Sequence, residues 1–371
     1  MLSIRGKETR PLVQGGMGVG VSAHRLAGAV AREGCVGTIS SVDLRRLHPD
    51  LMRATGRSRD RQAIDAANLT ALDREIRAAR EIAGGSGTIA VNVMRAVSQY
   101  AAYVRQACRS GVDAIVVGAG LPFDLPELTA DYPEVALIPI LSEARAIGLV
   151  LKKWQRKGRL PDAIVIEHPR YAGGHLGAAK LEDLGDARFD FSQVLPAAQR
   201  LFGEMHVAPI PIIVAGGVNS PRRVRDALAL GASGVQVGTP FAVTEEGDAH
   251  PNFKRVLAEA RPEDIITFMS VAGLPARAVR TPWLEHYLEK EALLQSRARQ
   301  RRECTLAFDC LTQCGLRDGN ARIGQFCIDF RLASALRGDT ERGLFFRGSE
   351  PVPFGGRIRP VRDLTEFLLA A

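Results

Sequence analysis

Aromatic side chains are scarce in this chain, 6% of 371 residues, with only two tryptophans. Single-stranded nucleic-acid binding leans on aromatic stacking, and no nucleic-acid module is legible, so the excess of 49 Lys and Arg over 41 Asp and Glu is not read as a nucleic-acid footprint. The basic residues are spread out except at RSRDR (57–61) and RARQRR (297–302), which suit solvated helix faces. A net charge of +8 helps instead to attract small anions. Long apolar runs are also missing: none approaches the roughly 18 residues of a membrane span. The opening MLSIRGKETRP lacks the apolar segment of a signal peptide. Six cysteines in this length make no secreted disulfide framework. These absences predict a cytoplasmic protein with no membrane or nucleic-acid partner. His-Glu-x-x-His and Gly-x-Ser-x-Gly are both absent, which removes two common hydrolytic centres.

What the chain does have is a rhythm of short Val/Ile-rich runs. LVQGG (12–16), VGTIS (36–40), TIAVNV (88–93) and AIVVG (114–118) are followed by ALIPI (136–140), AIVIE (163–167), PIIVAGG (211–217) and GVQVGT (234–239). Continuous apolar runs suit strands buried on both faces, and the intervening amphipathic segments supply right-handed crossovers. Eight such units predict an α/β fold, a (β/α)8 barrel over 1–282. Helices are expected over 22–33, 97–110 and 220–230, punctuated by Gly34, Gly111 and Gly231. The stretch 41–87 exceeds an ordinary crossover, so an insertion is expected after the second strand, with a helix at ALDREIRAAREIA. After about residue 260 the alternation stops. VAGLPARAVRTPW reads as a loop, 284–302 as a charged helix and 304–327 as a Cys-bearing loop. Helical patterns return at 328–336 and 361–369. A mostly helical extension, 283–371, is therefore expected to pack on the barrel.

Parallel barrels carry their active face at the C-terminal ends of the strands. Here those ends are rich in glycine: Gly15, Gly16 and Gly18 around Met17, Gly216 and Gly217, and Gly238 before Thr239. Any one pair could serve a tight turn. Together, and with the seventh and eighth strands involved, they point to a phosphate approached by backbone amides. The loop after the sixth strand, EHPRYAGGHLG, places His175 behind Gly173 and Gly174, where it could exchange a proton over a flat ligand. His168, seven residues earlier, is a weaker candidate. The GMGVG at 16–20 lacks the context of a dinucleotide fold.

PLVQGGMGVGVS, VNVM, YAGGHLGA and IPIIVAGGV with GASGVQVGTPF, in that order over about 11–280, resemble the nitronate monooxygenase family, formerly the 2-nitropropane dioxygenases. The resemblance implies an FMN-dependent oxidoreductase that oxidises alkyl nitronates with dioxygen to a carbonyl compound and nitrite. It also implies that Gly16, Met17 and Asn92 lie beside the flavin ring or ribityl chain, and Glu167, Gly173 and Gly174 beside its rim. Gly216, Gly217, Gly238 and Thr239 would surround the phosphate, and His175 would face substrate. Arg170 and Tyr171 lengthen the loop before AGGH relative to some relatives. Related proteins include NAD(P)H-dependent reductases of quinones or enoyl thioesters, which is the alternative activity. A non-catalytic flavin module would leave a substrate-facing histidine unexplained, and an inosine-phosphate dehydrogenase type of barrel would need a cysteine after the sixth strand that is absent. Small-molecule substrate, dioxygen or NAD(P)H are the expected partners, and self-association as a homo-oligomer is compatible with the sequence.

Cys304, Cys310, Cys314 and Cys327 fall within 24 residues, with five, three and twelve residues between them. Four thiolates can ligate an iron–sulfur cluster or zinc, but the pairs are wider than the usual Cys-x-x-Cys, and reduced buried side chains explain them as well.

Overall fold

In the computed structural model, residues 1–301 and 303–370 are described; Arg302, the last of the 297–302 basic run, and Ala371 lie outside them. Eight parallel strands close into a barrel: β1 (Leu12–Gln14), β2 (Val36–Ser40), β3 (Thr88–Met94), β4 (Ala114–Gly118), β5 (Ala136–Leu141), β6 (Ile164–Glu167), β7 (Ile212–Ala215) and β8 (Gly234–Val237). They neighbour one another in chain order, and β8 pairs with β1 through Val235 opposite Leu12 and Val237 opposite Gln14. The runs are apolar throughout because alternate residues serve two cores. Val13, Val116, Val165 and Ile213 fill the barrel interior, while Leu12, Ile115, Ile166 and Val214 pack outward against the helices. A hairpin of Leu2–Ile4 and Lys7–Thr9 closes the lower end, its Leu2 and Ile4 joining the interior core.

The insertion after β2 carries more helix than its arginine-rich start suggests. A short turn at Leu44–Leu47 and helix Pro49–Thr55 lead to a helix of 23 residues, Arg61–Ala83. Within RSRDR it is Asp60 that decides the start: its carboxylate accepts Gln62 N–H and Ala63 N–H as an N-cap, and Gly84 ends the helix in the left-handed region.

The expected loop VAGLPARAVRTPW (271–283) is in part strand. Ile265–Met269 and Pro275–Val279 form an antiparallel hairpin, and the two-residue strand Gly174–His175 adds to its edge, Ala276 opposite His175. The runs IITFM and PARAV are short, and the turn between them, with Gly273 at φ +73°, carries the glycine that reads as loop. Beyond the hairpin come helices Pro282–Ser296, Gly315–Asp318, Ile328–Leu336 and Val361–Leu368, joined by irregular segments. Those segments turn back over the barrel. Leu311 bridges Val97, Phe346 bridges Ala278, and Arg46 of the insertion pairs with both Asp43 and Asp329. No helix among the described residues is long and apolar enough to cross a membrane.

Candidate active site

The C-terminal ends of the strands open into one cavity of about 580 Å³. The eleven residues singled out from the sequence, Gly16, Met17, Asn92, Glu167, Gly173, Gly174, His175, Gly216, Gly217, Gly238 and Thr239, all line it. They arrive from five different strand ends, which the barrel brings to one face.

The strand ends fit a phosphorylated planar ligand such as FMN. At Gly16 a Cβ would fall 2.3 Å from Asn92 Cβ, so the backbone there comes as close to Asn92 as chemistry permits. Gly217 holds φ +77°, a conformation side-chain-bearing residues rarely adopt, at the turn leaving β7. Gly238 differs: a Cβ there would meet only Met17 Sδ, at 3.8 Å, so the missing side chain leaves open room. Thr239 Oγ1 accepts Gly348 N–H at 3.0 Å and has no protein acceptor for its own proton among the described residues, leaving a donor for a ligand oxygen.

Glu167, at the tip of β6, lines the cavity, and no side-chain or backbone group among the described residues hydrogen-bonds its carboxylate. Burial pushes its carboxyl up to about 7, against the pull of the Arg277 charge. Arg277 holds the loop beyond: its Nη1 donates to Pro169 O at 3.1 Å and to Ala172 O. His175 follows on this clamped loop. Its Nε2 is 3.0 Å from Ser270 Oγ, and its ring lies 5.6 Å from that of Phe346. Burial without a neighbouring carboxylate lowers the imidazole to about 4, so it is neutral near pH 7.

His168 takes another place. It is 3% exposed and does not line the cavity; its Nε2 is 3.0 Å from Asp190 Oδ1, and its ring meets Tyr171 and Phe191 edge-on. That makes it a brace under the loop and not a substrate group.

The four cysteines also part from the ligating arrangement. Among the described residues, no group of three or more His, Cys, Asp or Glu side chains is placed to hold a metal ion. Burial raises the thiols of Cys310, Cys314 and Cys327, the last to about 12. Cys304 Sγ bonds instead to Phe308 O. All six cysteines are free thiols.

The sequence reading missed the roof. Cys310, Leu311, Ile328, Leu344 and Phe346 of the extension line the cavity, and the backbone of Arg347 and Gly348 passes against Gly173 and Thr239. Ser270, behind His175, was missed as well. No local pattern marks these residues, because they reach the site only by the return of the chain over the barrel.

A sequence model of the family described as "Nitronate monooxygenase" matches residues 5–370. The chain belongs to the nitronate monooxygenase family. It is thus an FMN-dependent oxidoreductase, and its match runs through the extension as well as the barrel. Among relatives of this family, a probable nitronate monooxygenase of Bacillus subtilis (strain 168) is 27% identical over 292 residues, 75% of this chain and 78% of that one. Two solved structures share the fold. FabK from Thermotoga maritima has a TM-score of 0.65 at 23% identity, with 97% of this chain and 91% of that one covered. A nitroalkane oxidase from Streptomyces ansochromogenes has a TM-score of 0.64 at 21% identity, covering 97% and 94%.

Proposed function

We propose that this member of the nitronate monooxygenase family oxidises alkyl nitronates with dioxygen, giving a carbonyl compound and nitrite. The observation that carries the reading is His175: a neutral imidazole on the wall of a cavity whose roof is the apolar set Leu311, Ile328, Leu344 and Phe346. A ligand with an apolar tail and one polar oxygen-bearing head matches that wall. The family and the nitroalkane oxidase that shares the fold support the same reaction.

In this reading FMN, when bound, supplies the electron transfer from nitronate to dioxygen. The chain supplies position. Gly216, Gly217, Gly238 and Thr239 hold the phosphate through backbone amides and the free Thr239 hydroxyl proton. Gly16, Met17 and Asn92 flank the ring and ribityl chain, and Glu167, Gly173 and Gly174 border the rim. His175 meets the nitro oxygens, and Phe346 with Leu311 excludes water from the reacting carbon. Six free thiols suit a reducing compartment, and we place the enzyme in the cytoplasm.

Incubating FMN-loaded protein in air with the anion of nitroethane should consume dioxygen and release nitrite. No nitrite, together with NAD(P)H-dependent reduction of a quinone or an enoyl thioester, would replace this reading by the reductase alternative.

A further inference from the structure

His175 has a partner that fixes what it can offer a ligand. Ser270 is fully buried, at 0% exposed, and lies behind the histidine and off the cavity wall. Its backbone is held on both sides, Ser270 N–H donating to Leu274 O and Ser270 O accepting Gly324 N–H. Its Oγ accepts Ala272 N–H at 3.2 Å and lies 3.0 Å from His175 Nε2.

A serine hydroxyl has one proton to donate, and leaving a buried one without an acceptor is costly. Ala272 N–H is a donor, so it cannot take that proton. Among the described residues, His175 Nε2 is the one hydrogen-bond acceptor within reach of it. The serine therefore donates, and Nε2 uses its lone pair to accept. In a neutral imidazole the ring proton then belongs to Nδ1, the nitrogen with no protein partner among the described residues.

We propose that Ser270 is a positioning residue that locks His175 in the Nδ1–H tautomer, so that the histidine offers substrate a hydrogen-bond donor and not a base. The alternative, Nε2–H donating to the serine, would leave the buried hydroxyl proton with no acceptor. A neutral donor suits an oxygen that already carries negative charge, and it takes no proton from carbon. On the nitronate reading, on which this consequence rests, His175 binds the preformed anion through an oxygen and plays no part in generating it from the neutral nitroalkane. The tautomer itself does not depend on that reading.

Histidine-selective 15N labelling of the FMN-loaded protein tests the tautomer directly, with the His175 signals identified by their loss in His175→Asn. The expected pattern is a protonated Nδ1 and a lone-pair Nε2 near neutral pH; the reverse pattern overturns the proposal, and it needs no folded variant of Ser270. Ser270→Ala should release the ring to the other tautomer and lower kcat/KM on the anion of nitroethane by about 10-fold or more, the scale of one hydrogen bond to a charged group. Flavin content should be unchanged, and Ser270→Thr should restore both the signal pattern and the rate. A Ser270→Ala protein that keeps the Nδ1–H pattern contradicts the proposal. If the wild type turns over no nitronate but shows the Nδ1–H pattern, the functional reading fails and the tautomer assignment stands.

Discussion

His168 and His175 leave the same strand within one short loop, yet the fold gives them opposite surroundings. His168 is wedged between Tyr171 and Phe191 with its Nε2 against the Asp190 carboxylate. His175 lies beyond the Arg277 clamp and the left-handed Gly174, at φ +72°, on an edge strand that faces the cavity. Desolvation lowers both imidazoles, that of His168 against the pull of the Asp190 carboxylate. What separates them is the second ring nitrogen. Asp190 O and Arg170 N–H occupy the two nitrogens of His168, whereas His175 Nδ1 has no protein partner among the described residues. Of two histidines on one Gly-rich loop, the one that lines the cavity and keeps a ring nitrogen without a protein partner among the described residues is the one available to a ligand.

With FMN proposed in the space in front of His175, the largest effect is expected where that space is closed. Gly238→Val should fold, because the added carbons enter open room, and should lose bound flavin almost completely; Gly217→Val should lose flavin as well, with added backbone strain. Visible absorbance of the purified variants reads the outcome, and full occupancy in both would place the phosphate elsewhere. Next is the pair itself. His175→Ala should keep flavin while losing about 10²-fold or more in turnover, the range for a positioned polar group at the reacting centre, and should lose some stability because the buried Ser270 hydroxyl is left without its acceptor. His168→Ala should keep turnover within a few fold, with stability reduced by about 1–3 kcal/mol as a buried hydrogen bond and its packing are lost. Denaturant melts beside initial rates separate the two, and a catalytic defect in His168→Ala equal to that of His175→Ala would erase the distinction.

The smallest effect is in pH dependence. Burial holds the folded His175 pKa near 4, below its ordinary 6.5, so between those values the unfolded chain binds a proton that the folded chain refuses. Its contribution is therefore lost as pH falls from 6.5 towards 4. The drop in melting temperature over that window should be shallower in His175→Ala than in the wild type, and an identical drop would mean that the folded imidazole titrates normally.

The barrel was legible because each of its strands repeats the same signal, an apolar run serving two cores, and β1, β4, β7 and β8 run into glycine as well. The glycines proposed for the phosphate stood out for a related reason: Gly217 answers to a local backbone need, and Gly238 leaves open space that a side chain would fill. The roof was not. Leu311 and Phe346 look like ordinary core residues, and Ser270 like a loop residue, until the 265–279 hairpin and the returning extension carry them to the cavity. The cysteines illustrate the opposite risk, since closeness in sequence drew attention to side chains that form no group of three or more ligands among the described residues.

Anaerobic stopped-flow mixing tests the nitronate-oxidising role of His175 directly, with the flavin absorbance followed after the FMN-loaded protein meets either the anion of nitroethane or NADH. Rapid bleaching by the nitronate, slowed about 10²-fold or more in His175→Ala, with no comparable bleaching by NADH, is the result expected for a nitronate-oxidising site built around His175. Rapid bleaching by NADH alone, unaffected by the nitronate, would contradict it.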